Sequence, residues 1–200
     1  MVTTSMIVGL VVTPMGWVLV LAGTVAPQWR ELSQRPGYPP DSYFYDGLWE
    51  TCRESITTSS RDCNQLSDEI AASWLTQLNR ALCLLSVLLA ILGYLVAQAG
   101  VRWWTEGPSP NLAALGGVLI VLSGAACLAP VSYVGYRLVR TIQDPLVPPA
   151  DKYQLGTCLY LGWFGGSAEL LGGITLMCNL KCSCRKPSSA RERNHYSGPG

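Results

Sequence analysis

Four long apolar stretches alternate with polar segments along the chain. They cover residues 6–26, 78–100, 112–135 and 155–178, and the last of them includes one acidic residue, Glu169. About 20 apolar residues, at 1.5 Å per residue in a helix, cross roughly 30 Å of hydrocarbon. The pattern therefore predicts a single domain, 1–200, with four membrane-spanning helices.

Four spans place both termini on one side of the membrane and two loops, 27–77 and 136–154, on the other. Lys and Arg are slightly denser in the termini and the short loop, which favours cytoplasmic termini and a cytoplasmic tail, 179–200. Cys52 and Cys63 are the only cysteines of the first loop. They would oxidise only on the outer face, so we expect a disulfide there.

Polar and apolar residues alternate within this first loop over 42–45 and 48–52. A period of two residues is typical of strands, and we expect a small disulfide-linked sheet. Pro36, Pro39 and Pro40 would remove hydrogen-bond donors from its first hairpin, so a remodelled tip is predicted there.

Composition excludes several classes of protein. The chain is 49% hydrophobic and only 14% charged, which argues against a disordered or ordinary soluble chain. A net charge of +1 gives no field that would attract nucleic acid. Catalytic motifs are missing from the sequence, and His195 is the one histidine. We therefore expect no enzymatic activity, no cofactor and no metal site.

Glu169 is the one acidic or basic residue in the fourth apolar stretch. Such residues are functional candidates in membranes because a charge there is costly. A transporter or proton-linked channel working through Glu169 is one interpretation. We favour a packing role, in which Ser167, Ser123 or Ser86 supplies a hydrogen bond from a neighbouring helix.

The first loop carries Trp29, then Gly47-Leu48-Trp49, then Cys52 and Cys63, and Arg80 follows. This pattern resembles the signature of the claudins, and residues 100–102, 129–132, 144–148 and 159–163 are also similar to claudin segments. The resemblance implies a membrane α-helical fold: a left-handed four-helix bundle with an extracellular antiparallel β-sheet from the first loop and a strand of the second.

The resemblance also implies a function. Claudins are structural tight-junction proteins of the plasma membrane that join cells and form a barrier or ion-selective path between them, by polymerising with other claudin-like molecules in cis and in trans. Candidates to line that path are Glu54, Asp62, Asn64 and Gln65. Candidates for contacts between molecules are Leu66, Glu69, Ile142, Gln143, Pro145, Leu146 and Val147.

Charge in the first loop bears on ion preference. Residues 27–77 hold eight acids and four arginines, a net charge of −4. This balance mildly favours cations if a pore exists, and a plain solvated surface is the alternative. Many claudins carry an aromatic pair where this chain has Ile142 and Gln143, which makes lateral assembly less secure.

The tail supplies two further expectations. Cys178, Cys182 and Cys184 follow the last span beside basic residues and are candidates for palmitoylation at the membrane lipid surface. The sequence ends in Gly200, which offers no side chain to a PDZ pocket, so a PDZ partner is doubtful.

One related class stays open as an alternative. Tetraspan proteins of the peripheral-myelin and epithelial-membrane-protein kind, and channel auxiliary subunits, share the GLW…C…C loop. Those relatives commonly carry N-glycosylation in the large loop, and this sequence contains no N-x-S/T site. The missing site favours the claudin interpretation.

Overall fold

The computed structural model describes residues 4–33, 37, 39, 41–101, 109–148 and 152–183. The helices are α1 (Thr4–Val25), α2 (Asp68–Ala72), α3 (Trp74–Val101), α4 (Pro110–Gln143) and α5 (Thr157–Ser183). The strands are β1 (Arg30–Ser33), β2 (Ser42–Asp46), β3 (Glu50–Ser55), β4 (Ser60–Gln65) and β5 (Gln154–Leu155).

The four long helices form a bundle. Helices α1, α3 and α4 are long and apolar enough to cross a membrane. Helix α5, with 27 residues, packs along both α1 and α4, and α3 packs along α4. Large apolar side chains such as Leu88 and Leu92 are exposed on the outside of the bundle. An apolar exterior of this kind is expected where the surrounding solvent is lipid.

Glycines let these helices approach closely. A Cβ at Gly16 of α1 would lie 2.9 Å from the carbonyl oxygen of Gly165, and a Cβ at Gly124 of α4 would lie 2.8 Å from that of Gly166. Thus neighbouring glycines of α5 serve two different helix interfaces, as small residues do in membranes. The same arrangement recurs seven residues later along α5, at Gly172 and Gly173. A seven-residue spacing is typical of left-handed packing.

The five strands form one antiparallel sheet at one end of the bundle. Its order is β4-β3-β2-β1-β5, so the strand from the second loop pairs with the first strand of the first loop. The predicted combination of a helix bundle with a sheet built from both loops is confirmed.

Several element boundaries differ from the sequence predictions. Helix α4 continues to Gln143 beyond the end predicted at 135, because a polar helix end carries no hydropathy signal. Leu48 and Trp49 were expected in a strand, but they lie in the connection between β2 and β3. The short helix α2 was not predicted, and α5 continues past 179 to Ser183.

Some predictions fall outside the described residues. These are the remodelled hairpin at Pro36 and Pro40, the segment similar to claudins at Arg102, and the tail from Cys184 to Gly200.

Candidate functional site

The two signature tryptophans meet the end of α1. The indole N–H of Trp29 donates a hydrogen bond to the carbonyl oxygen of Gly23 at 2.8 Å. The indole N–H of Trp49 donates to the carbonyl oxygen of Thr24 at 2.9 Å. Carbonyl groups in the last turn of a helix lack partners within the helix. The two tryptophans therefore cap α1 and attach the sheet to it.

Arg80, in the second turn of α3, binds the same connection. Its Nε donates to the carbonyl oxygen of Leu48 at 2.8 Å, and its guanidinium lies 5.1 Å from the ring centre of Trp49. Gly47 has no room for a side chain, since a Cβ would lie 2.5 Å from Cα of Pro27. All five signature residues thus form one group, called here the anchor cluster: Trp29, Gly47, Leu48, Trp49 and Arg80.

Backbone hydrogen bonds connect the second loop to the first. The N–H of Gly156 donates to the carbonyl oxygen of Trp29 at 3.1 Å, and the N–H of Cys158 to that of Gln28 at 3.0 Å. A Cβ at Gly156 would overlap the carbonyl oxygen of Gln28, so only glycine fits there. The two loops therefore form a single structural unit.

Arg30 adds a charged link that sequence reasoning missed. Its guanidinium lies 3.4 Å from the carboxylate of Asp46 and 5.2 Å from the ring centre of Tyr153 in the second loop. Arg30 stands directly opposite Asp46 in the β1–β2 register. Opposite charges on neighbouring strands could have revealed this pair only if β1 and its register with β2 had been known.

The predicted disulfide joins β3 to β4. Cys52 and Cys63 face each other in the register, with an S–S distance of 2.03 Å and Cα atoms 4.1 Å apart. Glu50 lies near both sulfur atoms. Because the sulfur atoms are bonded to each other, this group offers no thiolate to a metal ion.

The sheet divides its charges unequally between its two faces. Side chains point alternately to the two faces of the sheet along each strand. We call the face that carries Cys52 and Cys63 the disulfide face, and the other one the opposite face. The disulfide face carries Glu31, Glu50, Glu54 and Arg61. The opposite face carries Arg30, Asp46, Arg53 and Asp62. Acid therefore exceeds base only on the disulfide face.

The ionisation of Tyr45 reflects this charge distribution. Burial, followed by the carboxylates of Glu54 and Glu31, raises the pKa of Tyr45 above its usual value. All three side chains belong to the disulfide face. Burial is the larger cause, and the two carboxylates add to it.

The four residues expected to line a path lie on different faces. Glu54 and Gln65 belong to the disulfide face, whereas Asp62 and Asn64 belong to the opposite face. Arg53 lines the same surface depression as Asp62 and Asn64 and was missed from sequence. The four candidates therefore do not form one continuous lining within a single molecule.

The second loop presents an apolar tip. Asp144 turns the chain, because its Oδ1 accepts a hydrogen bond from the N–H of Leu146 at 2.9 Å. The Leu146 side chain is 89% exposed, and Pro145 beside it is also exposed, while Val147 is partly buried. These residues are available to a neighbouring molecule.

Ile142 and Gln143 separate at the end of α4. Ile142 packs against the core, and its carbonyl oxygen accepts a hydrogen bond from Nζ of Lys152 at 2.7 Å. Gln143 is exposed. Only the second residue of this candidate pair therefore presents a free surface.

Leu66 requires a correction as a contact candidate. Its side chain is only 7% exposed and packs inward. Its backbone N–H donates a hydrogen bond to the carbonyl oxygen of Trp49 at the end of the sheet. Ile70 of α2 is exposed instead. The side chain of Glu69 lies outside the described residues.

Glu169 lies in the middle of the bundle and is fully buried. The hydroxyl of Ser123 lies 2.7 Å from Glu169 Oε2 and 2.7 Å from the carbonyl oxygen of Ser86. These residues join α5, α4 and α3, as the packing interpretation expected. Ser167, the third candidate partner, faces outward. Glu169 Oε1 has no hydrogen-bond partner among the described residues.

The remaining cysteines fall into two groups. Cys83, Cys127 and Cys158 are buried free thiols inside the bundle. Cys178 is exposed near the end of α5. The side chain of Cys182 and all of Cys184 lie outside the described residues.

This arrangement defines a class of membrane protein: a helix bundle that carries a disulfide-linked sheet built from two loops and fastened by tryptophans. A family model described as "PMP-22/EMP/MP20/Claudin family" matches residues 3–176. The chain belongs to the PMP-22/EMP/MP20/Claudin family.

Curated relatives place it near the claudins. It is 30% identical to claudin-7 of Rattus norvegicus, over 94% of each chain. It is 32% identical to claudin-6 of Homo sapiens, over 96% of this chain and 90% of the relative. It is 34% identical to claudin-23 of Homo sapiens, over 97% of this chain and 66% of the relative.

Proposed function

We propose that this chain is a structural component of tight junctions that joins cells and controls the passage of ions between them. One observation carries the proposal: both loops build a single sheet, and the anchor cluster fastens that sheet to the bundle. A sheet held in this way presents a fixed surface to neighbouring molecules. Similarity to claudins along nearly the whole chain supports the same function.

The sheet lies outside the cell and both termini lie in the cytoplasm. The Cys52–Cys63 disulfide supports this orientation, since disulfides persist in the oxidising extracellular space and are rare in the cytosol. In this orientation the protein sits in the plasma membrane at the junction.

Its partners are further claudin-like molecules, in the same membrane and in the opposite one, with membrane lipid around the bundle. Strand β4 supports lateral contact, because it is an edge strand and all six of its residues are exposed. The apolar tip at Pro145 and Leu146 supports contact with the opposite cell.

Ion preference follows from the charge of the sheet. We assign the lining of the path to the disulfide face, where the carboxylates of Glu31, Glu50 and Glu54 outnumber Arg61. Fixed negative charge in a narrow aqueous space attracts cations and repels anions. The path therefore favours cations.

Acylation anchors the end of α5 to the inner leaflet. Cys178 is exposed at the last turns of α5, and Cys182 lies one turn further along the same helix. Together with Cys184 they form a juxtamembrane group beside basic residues, the usual setting for palmitoylation.

The test is expression in an epithelial monolayer that lacks its own claudins, with surface staining to confirm delivery. We expect a change in transepithelial resistance together with a NaCl dilution potential that favours cations. An anion-favouring potential would contradict the charge assignment. No change in resistance despite surface protein, with and without a co-expressed claudin, would contradict the junctional function.

A further inference from the structure

A cavity of about 290 Å³ opens where the sheet meets α3 and α4. One of its walls is apolar and consists of Leu48, Leu66, Leu75, Val134 and Leu138. This volume lies near the lower limit of pockets that hold small molecules, roughly 300 Å³. The cavity can therefore hold part of an amphipathic molecule.

Asn79 of α3 supplies an uncharged polar group to the wall. Its side chain is only 8% exposed and lines the cavity. Its amide makes no hydrogen bond with any part of the chain that the structure describes. The amide opens onto the cavity and can hydrogen-bond to the polar atoms of a ligand bound there.

The cavity also carries positive charge. Arg137 lines it and is exposed, and within the described part of the chain its side chain has no ion pair or hydrogen bond. Arg30 lines it too but is already paired with Asp46. Acidic side chains are missing from the described lining. The charge of the cavity is therefore complementary to an anionic group.

Aromatic residues show where the cavity lies relative to a bilayer. Trp74, at the start of α3, is 74% exposed, and Tyr133 and Tyr136 are exposed near the sheet-bearing end of α4. Exposed tryptophan and tyrosine mark the level of lipid headgroups in membrane proteins. Arg137 follows Tyr136 directly, so the cavity opens at headgroup level.

We propose that this cavity binds a phosphate-bearing membrane lipid of the leaflet next to the sheet. Arg137 pairs with the lipid phosphate, the Asn79 amide bonds to a headgroup or ester oxygen, and the first carbons of an acyl chain lie on the apolar wall. Free phosphate would leave that wall empty. A lipid without a phosphate group would leave the Arg137 charge without a partner.

Native mass spectrometry of the purified full chain, titrated with phosphatidylcholine, tests the proposal. Replacing Arg137 with Gln removes a charge-assisted hydrogen bond and should weaken lipid binding about tenfold. Arg137→Lys should retain part of the affinity. Arg140→Gln is the matched control, because Arg140 lies one turn further along α4, bonds to Tyr136 and does not line the cavity. Asn79→Leu should weaken binding as well.

The proposal is overturned if the Arg137→Gln and wild-type chains bind the lipid equally, or if Arg137→Gln and Arg140→Gln lose equal affinity. It is also overturned if diacylglycerol binds as tightly as phosphatidylcholine, or if inorganic phosphate at matched concentration competes completely. A shift from dimer to monomer as the only effect of Arg137→Gln would indicate a second copy as the occupant and would also overturn it. Since Arg137 is exposed, loss of folding is not expected in this variant. Junction formation plays no part in the assay, so the result is independent of the proposed function.

Discussion

The indole N–H of Trp49 donates a hydrogen bond to the carbonyl oxygen of Thr24, 25 residues earlier in the chain and in the last turn of α1. The acceptor is a backbone carbonyl group at the end of a helix and not another side chain. The Arg80 guanidinium lies 5.1 Å from the centre of the same indole ring. Trp49 is therefore held between α1 and α3.

Replacing Trp49 with Phe should keep the ring contact with Arg80 and lose the hydrogen bond. We expect the free energy of unfolding to fall by about 1–2 kcal/mol, because a partly buried carbonyl group loses its partner. Thermal unfolding in detergent measures the change. Trp74→Phe is the control, since Trp74 is largely exposed. Equal losses in both variants would contradict the capping role.

Removing the disulfide should destabilise the sheet. Changing Cys52 and Cys63 together to Ser opens the link between β3 and β4, and we expect a loss of about 3 kcal/mol from greater freedom of the unfolded chain. Strands at the cell surface should disappear in freeze-fracture images. Cys178→Ser, which changes an exposed free thiol, should leave strands intact. Normal strands without the disulfide would show that β3 and β4 pair without it.

The close contact between α1 and α5 predicts that Gly165 tolerates no larger residue. A Cβ there would lie 2.9 Å from the carbonyl oxygen of Gly16. Gly165→Val should lower the free energy of unfolding by about 1–3 kcal/mol through overpacking. Ser167→Val makes a similar change on the exposed side of α5 and should have little effect. Thermal unfolding of the two purified variants separates packing from helix propensity.

Glu169→Gln should preserve both stability and junctional resistance. The amide oxygen of Gln can accept the same hydrogen bond from Ser123, so the contact between α5 and α4 survives. Ser123→Ala should instead cost about 1 kcal/mol, the usual size of a hydrogen bond between helices in a membrane. Single-cell conductance is the second readout. A conductance across the cell's own membrane that disappears in Glu169→Gln would support transport instead.

The charge assignment predicts different effects on the two faces of the sheet. Glu54→Gln on the disulfide face should lower the sodium-to-chloride permeability ratio roughly twofold, since a unit charge about 8 Å away in water contributes about 0.5 kcal/mol. Asp62→Asn on the opposite face should change the ratio less. Dilution potentials across monolayers measure both. A larger effect from Asp62→Asn would place the path on the opposite face.

Hydropathy predicts the helices of this chain because lipid solvation depends directly on apolar side chains. The end of α4 escaped prediction for the same reason, because the helical residues from 136 to Gln143 include Arg137 and Arg140 among their apolar side chains. Gly165 and Gly166 are adjacent in the sequence, and the sequence does not show which helix each of them contacts. Their partners depend on bundle topology.

The candidate site was harder to predict because its partners are backbone atoms. The signature tryptophans are visible in the sequence, but the carbonyl groups of Gly23 and Thr24 that they bind could belong to any residue type. Leu66 was expected on the surface because the resemblance to claudins made it a candidate for contact between molecules. In the fold, it closes the end of the sheet and faces the cavity.

The pairing of β1 with β5 constrains how the protein is made. Arg30 pairs with Leu155, so the partner of β1 is synthesised only after α3 and α4. Until then β1 keeps an open edge, and an unpaired edge is prone to bind other chains. Completion of the sheet therefore reports that the later helices have been inserted. Failed insertion of α5 would leave this edge exposed to chaperones on the far side of the membrane during biosynthesis.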